Sequence, residues 1–148
     1  MSYEVVRMPK EEAALAKLLE EVAPFLNAMY DETDKKMFGE LAFSLEYWLF
    51  LWDNDAGFFV INRDATGKLL SVAMVTKYKS IWHGRMVLEV QRTAVAHELT
   101  TSAEQELDEI IKYLLSIAGL LNFDLLYLNT RDNAGNEHKR LVWRSYER

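Results

Sequence analysis

The sequence has 148 residues, of which half are apolar and 12% aromatic, enough to build the hydrophobic core of one domain. Its formal net charge of −6 argues against a general affinity for nucleic acid or for anionic membranes. The sequence contains no cysteine, which excludes disulfides, thiolate nucleophiles and most structural zinc sites. The three histidines lie in separate segments without paired spacing. We therefore expect a single domain spanning residues 1–148 without a metal site.

No run of eighteen apolar residues is present, so we expect no membrane-spanning segment. The first residues also lack the basic and then apolar layout of a signal peptide. Both observations predict a protein of the cytoplasm.

The first half of the chain predicts one strand followed by two helices. Tyr3 to Met8 is rich in β-branched residues and ends before a proline, as strands often do. Apolar residues then recur at helical spacing from Leu15 to Met29, with a kink expected at Pro24, and again from Met37 to Trp52. The turn-forming residues from Asp53 to Gly57 end the second helix.

The middle of the chain changes to alternating apolar and polar residues. This pattern predicts strands over Phe58 to Arg63, Leu69 to Ile81 and Met86 to Gln91, separated by two short turns. Because the connections are short, the three strands should form an antiparallel meander.

The last third predicts a helix, a short strand and a terminal segment. Two overlapping capping boxes, Thr101 with Glu104 and Ser102 with Gln105, mark the start of a helix that ends near Asn122. Asp124 to Asn129 reads as a strand, and Asn133 to Gly135 as a turn. For Asn136 to Arg148 we expect a terminal helix or a frayed basic tail.

This order of elements resembles the GNAT superfamily of N-acetyltransferases over nearly the whole chain. GNAT enzymes place an Arg or Gln, two residues, Gly, one residue, and Gly or Ala after the last strand of the meander. These glycines let backbone N–H groups approach the pyrophosphate of coenzyme A at the start of the next helix. The resemblance implies an α/β (α+β) fold with a mixed, mostly antiparallel sheet flanked by helices, in the order β-α-α-β-β-β-α-β-α.

The corresponding segment, residues 91–102, departs from the GNAT motif. Counted from Arg92, Val95 and His97 occupy the two glycine positions, and Glu98 adds negative charge beside the expected phosphates. This departure argues against ordinary coenzyme A binding, and we expect no cofactor. The residues that could still contact a cofactor phosphate are Arg92, Thr100, Thr101 and Ser102, although hydroxyl groups at a helix start also serve as caps.

The C-terminus departs from the superfamily as well, because GNAT enzymes often finish with one or two further strands that are not predicted here. An incomplete sheet edge favours pairing with a partner, so we expect an oligomer or a docked assembly. In size, layout and basic tail the sequence is also similar to small GNAT-like virion and accessory proteins of tailed bacteriophages. That likeness would place the protein in the host cytoplasm or in a virion.

The resemblance also suggests residues for acetyl transfer, which needs a base for the amine and a donor for the leaving thiolate. Glu89 lies where GNAT enzymes commonly carry a basic carboxylate, although an alternating strand would also expose it to water. Tyr127 and Tyr146 could serve as acids or could simply pack. His83 fits an exposed turn, and His97 either replaces a phosphate donor or is a polar residue at a helix entry.

The C-terminal segment mixes positive charge with aromatic side chains in an otherwise acidic chain, a composition suited to protein interfaces. Its candidate interface residues are His138, Lys139, Arg140, Trp143, Arg144, Tyr146 and Arg148. If this segment lies outside the core, deleting the residues after Gly135 should leave a folded domain.

Two functions therefore follow from the sequence. The first is a catalytically degenerate GNAT-like protein that acts as a binding or structural component, through a protein partner or self-association, plausibly in a bacteriophage or mobile element. The second is an active N-acetyltransferase with an atypical loop, which would use acetyl-coenzyme A and an amine substrate.

Overall fold

A computed structural model describes residues 2–30, 34–36, 45–99, 101–132 and 134–145. Within these ranges the helices are α1 (Glu12–Met29), α2 (Leu45–Asp53), α3 (Ala103–Ser116) and α4 (Ala118–Leu121). The strands are β1 (Ser2–Val6), β2 (Gly57–Arg63), β3 (Leu69–Lys79), β4 (Met86–Val95), β5 (Leu125–Arg131) and β6 (Glu137–Arg144). The first half of the predicted second helical stripe, residues 37–44, lies outside the described residues.

The six strands form one sheet in the order β1-β2-β3-β4-β5-β6. Neighbouring strands are antiparallel except β4 and β5, which run parallel because α3 and α4 return the chain across the sheet. The predicted meander is confirmed as β2, β3 and β4, and the mixed, mostly antiparallel sheet flanked by helices matches the predicted fold class.

The structure of the C-terminal segment differs from the predicted element order. Glu137–Arg144 is neither a helix nor a frayed tail but the strand β6, paired antiparallel with β5 from Leu125 to Arg131. A tight turn makes this pairing possible: Gly135 adopts a φ of 87°. In the same turn the Asp132 N–H donates to the Asn136 carbonyl at 3.0 Å. The prediction of a final helix is therefore wrong.

Helices cover both faces of the sheet. The rings of Trp48 and Trp52, on α2, pack against Phe59 of β2 with centroids 5.1 and 5.0 Å away. On the opposite face, Asn62 of β2 donates to the buried Glu106 of α3 at 2.8 Å. Because successive strand residues point to opposite faces, these contacts place α2 and α3 on different sides.

The start of α3 distinguishes between the two predicted capping boxes. The Ser102 hydroxyl accepts from the Gln105 N–H, and the Gln105 side chain accepts from the Ser102 N–H, both at 3.1 Å. Asn122, as predicted near the end of this helical region, adopts a left-handed conformation with φ 55° after α4. Ser102 is therefore the N-cap of α3, and Thr101 precedes it.

Candidate functional site

The largest described cavity, of about 720 Å³, lies between the sheet and the α1 and α2 side of the molecule. Its volume falls within the range of small-molecule binding sites. Apolar and aromatic residues from the helices meet polar residues from β3, β4 and β6 at its wall. Its lining includes three aromatic and three charged side chains: Tyr47, Trp48, Tyr78, Glu89, Arg92 and Lys139.

Glu89 of β4 lies at the inner wall of this cavity and is only 3% exposed, so the expectation that it is solvated is wrong. Its carboxylate accepts from the Tyr78 hydroxyl at 2.9 Å and from the Gln91 amide at 2.7 Å. The Lys139 ammonium, on β6, forms an ion pair with it at 3.0 Å. The sheet thus brings together a carboxylate, a phenol and an amine from three strands.

The charges of this cluster stabilise one another. The hydrogen bond to Glu89 raises the pKa of Lys139 above its usual value, with a further contribution from Tyr78. Burial raises the pKa of Tyr78, which therefore remains a neutral donor at physiological pH. To act as a base, Glu89 would have to share or lose its contact with the Lys139 ammonium.

Arg92, the residue at the first position of the expected cofactor motif, points away from the loop that follows it. Its guanidinium donates to both carboxylate oxygens of Asp34, at 2.7 and 3.1 Å, and to the Met29 carbonyl at 2.7 Å. Asp34 is only 1% exposed, and Glu137 lies 3.5 Å from the same guanidinium. Arg92 therefore links β4 to the end of α1 and neutralises a buried acid.

The loop between β4 and α3 uses its own backbone donors. The Ala96 N–H donates to the Leu70 carbonyl at 2.8 Å, and the Leu99 N–H donates to the Ala96 carbonyl at 3.1 Å. His97 is exposed, and Lys68 pairs with Glu98 at 2.6 Å. The Ser102 and Gln105 N–H groups are engaged in the capping box, so four backbone donors of this segment already have partners within the chain.

β4 and β5 separate after Val90 and Leu128, which leaves a cleft between their C-terminal ends. The two strands pair only from Val87 to Val90 and from Leu125 to Leu128, although both continue further. Cavities of about 240 Å³ lie on each side of the sheet at this divergence. The Thr93 hydroxyl and the Asn129 side-chain amide oxygen Oδ1 are buried there without a hydrogen-bond partner in the described part of the chain.

The remaining predicted site residues are dispersed. Tyr127 lines a separate cavity of about 460 Å³ beside Lys139, and Thr101 is exposed before the helix cap. Trp143 packs on Phe123 at 5.4 Å, while the other β6 candidates, His138, Arg140 and Arg144, are exposed. Thr100, Tyr146 and Arg148 lie outside the described residues.

Sequence reasoning missed the partners of the candidate residues. Arg92 contacts Asp34, and Glu89 contacts Tyr78 and Lys139. In each pair the two residues lie on different elements of the fold. The available signal was alternation along β4, which predicts that Glu89 and Gln91 lie on the same face of the sheet. No helix within the described ranges is both long and apolar enough to cross a membrane. The same residues contain no cluster of three or more potential metal ligands.

No protein-family model matches the sequence, and no curated protein matches it significantly. Solved structures do match over most of the chain. A GNAT family acetyltransferase from Staphylococcus aureus superposes with a TM-score of 0.61 at 11% identity, covering 99% of this chain and 100% of that one. A ribosomal-protein-alanine N-acetyltransferase from Brucella melitensis gives a TM-score of 0.58 at 16% identity, covering 90% of this chain and 83% of that one.

An aminoglycoside acetyltransferase from an uncultured soil metagenomic sample is similar as well, with a TM-score of 0.57 at 16% identity over 90% of this chain and 82% of that one. At these identities the likeness concerns the fold. The chain has the fold of the GNAT acetyltransferases, as the order of its elements predicted.

Proposed function

We propose that this protein is a GNAT-like binding or structural component that does not use acetyl-coenzyme A. Coenzyme A binding in this fold would require unoccupied backbone N–H groups at the start of the helix after β4, where the helix dipole favours phosphate. The single observation that carries the proposal is that four backbone donors of residues 92–105, the N–H groups of Ala96, Leu99, Ser102 and Gln105, already donate within the chain.

The charges near α3 support the same proposal. Glu104 and Glu106 lie in the first turn of α3, and the Ser102 side chain already caps that turn. The arginine that could offset this negative charge, Arg92, is held by Asp34. A pyrophosphate placed here would meet carboxylates and would have to displace existing hydrogen bonds, which together disfavour binding.

The large cavity is the binding site that remains. Aromatic side chains such as Tyr47 and Trp48 offer apolar contact area, while Glu89 with Lys139 and Arg92 with Glu137 offer paired charges at the wall. A site of this kind favours a compact, mostly apolar group with one polar end. The occupant would be a ligand or a side chain of a partner protein, and a role in a virion or mobile element stays a prediction.

Calorimetric titration with acetyl-coenzyme A tests the proposal. We expect no binding at micromolar cofactor, because the loop lacks the two glycines and four of its backbone N–H groups already donate within the chain. A working acetyltransferase of the same fold, titrated in the same buffer, is the positive control. A dissociation constant in the low micromolar range would overturn the proposal.

An N-acetyltransferase is the second candidate, favoured by the burial of Glu89 beside a cavity and by the cleft between β4 and β5. If Glu89 is the general base, Glu89→Gln should lower turnover of acetyl-coenzyme A by roughly two to four orders of magnitude. Glu109→Gln, which alters an exposed carboxylate of α3 that does not line the cavity, is the control and should change turnover little. Unchanged turnover in Glu89→Gln would remove this residue from the mechanism.

A further inference from the structure

The turn between β3 and β4 holds two large apolar side chains in water. Ile81 and Trp82 are each 89% exposed. The turn itself is well formed, because the Ser80 N–H donates to the Arg85 carbonyl and the Gly84 N–H donates to the Ser80 carbonyl, both at 2.9 Å. Gly84 adopts the left-handed conformation that the turn requires, with a φ of 69°. A fixed turn that presents two exposed apolar residues is typical of an interaction site.

The ionisable side chains within this turn are all basic. Lys79, His83 and Arg85 flank the two apolar residues, and the sequence from residue 79 to residue 85 contains no carboxylate. We call residues 79–85 the basic tip. In a chain of net charge −6, the basic tip is a local region of positive charge that attracts an acidic surface.

Helix α2 presents a surface of the opposite charge. Tyr47 and Phe50, three positions apart and therefore on one side of the helix, are 62% and 61% exposed. Glu46 and Asp53 are also exposed, and no lysine or arginine occurs between Leu45 and Asp53. We call Glu46, Tyr47, Phe50 and Asp53 the acidic face of α2.

We propose that these two surfaces bind each other between two copies of the chain. Each has two large exposed apolar side chains at its centre, and the charges beside them are opposite in sign. Trp82 is the expected anchor, because tryptophan is among the residues that most often dominate binding energy. The contact is independent of the loss of acetyl-coenzyme A chemistry and would stand if that proposal failed.

The areas involved favour a reciprocal pair. Aromatic side chains bury roughly 150–250 Å² each, whereas a stable interface needs about 800 Å² from each partner. A single contact, in which one copy contributes only its basic tip and the other only its acidic face, falls well short of that area. A two-fold arrangement in which each copy contributes both surfaces approaches it, and it closes the assembly at a dimer.

Sedimentation velocity over micromolar to high micromolar concentrations tests the proposal. We expect a concentration-dependent equilibrium between monomer and dimer that weakens with added salt. Trp82→Ala should weaken dimerisation by about thirtyfold or more, the loss expected for an interface anchor. Since Trp82 is exposed in the single chain, circular dichroism should show an unchanged fold.

Charge reversal gives the sharper test. One variant reverses the basic tip with Lys79→Glu and His83→Glu, and the other reverses the acidic face with Glu46→Lys and Asp53→Lys. Each variant alone places like charges at both contacts and should be monomeric. Mixed together, the two variants should form a heterodimer, because every contact then joins opposite charges. The control variant, Asp108→Lys with Glu109→Lys, reverses two exposed carboxylates of α3 and should dimerise like the parent chain.

Three results would overturn the proposal: a parent chain that is monomeric at all concentrations, a dimer unaffected by Trp82→Ala, or charge variants that do not associate when mixed. If a charge variant folds poorly, Trp82→Ala alone decides the outcome. A tightly bound acetyl-coenzyme A in the calorimetric titration would leave the proposal untouched, so the two tests fail separately.

Discussion

Deleting the residues after Gly135 is expected to produce a chain that does not fold. The deletion removes β6, and with it seven paired positions along β5. It also removes Trp143 from its contact with Phe123 and leaves the buried Glu89 without Lys139. Loss of a fully buried tryptophan costs about 3–5 kcal/mol; Trp143 is half-buried and should cost less, but the lost strand pairing and ion pair add to it, against the 5–15 kcal/mol that stabilises a typical domain. Circular dichroism and thermal unfolding of the truncated chain measure the effect.

The matched control is a deletion after Ser145, which keeps the whole of β6 and should unfold at nearly the temperature of the full chain. A truncation after Gly135 that retains a cooperative unfolding transition would show that β6 is an accessory strand. The structure places this segment in the sheet, with Val142 and Trp143 packed against the core, so we expect the truncated chain to behave differently from the sequence-based expectation. The exposed residues His138, Arg140 and Arg144 remain candidates for an interface, whereas Trp143 serves the fold of its own chain.

The elements that could be predicted from the sequence are those marked by apolar runs, by helical periodicity or by recognisable ends. β2 and β3 are buried along most of their length and end at recognisable turns, and α3 has both a capping box and an apolar stripe. β6 was missed because residues 137–141 are all exposed, so no alternation of apolar and polar residues marks the strand. Charged side chains are common on edge strands, where they limit unwanted pairing.

The candidate site was harder to predict for a different reason. Glu89 and Arg92 were identified from the sequence, but their partners were not, because strand register and helix packing decide those contacts. Glu89 meets Lys139 only because β5 lies between β4 and β6 in a particular register. Sequence spacing carries little information on such a pairing, so a residue expected to be either solvated or catalytic proves to be a buried carboxylate paired with a half-exposed lysine.

Arg92→Met is expected to lower the free energy of unfolding by about 3 kcal/mol, near the low end for breaking a buried ion pair by removing one partner. The substitution keeps much of the side-chain volume but leaves the carboxylate of Asp34, 1% exposed, without its bidentate cation. The Arg92 side chain is itself 29% exposed, which is why we expect the low end. Urea denaturation measures the change.

The double variant Arg92→Met with Asp34→Leu should recover most of this loss, because it removes the buried charge together with its partner. Arg63→Met is the matched control: Arg63 also makes two hydrogen bonds to one carboxylate, at 2.5 and 2.8 Å, but its partner Glu21 is 34% exposed. Water can solvate that carboxylate once the arginine is gone, so the cost should be at most about 1 kcal/mol. If Arg92 were instead a phosphate ligand, Arg92→Met would weaken acetyl-coenzyme A binding and leave the unfolding free energy nearly unchanged. A large loss of stability, restored by the second substitution, would identify Arg92 as part of the protein's own electrostatic framework.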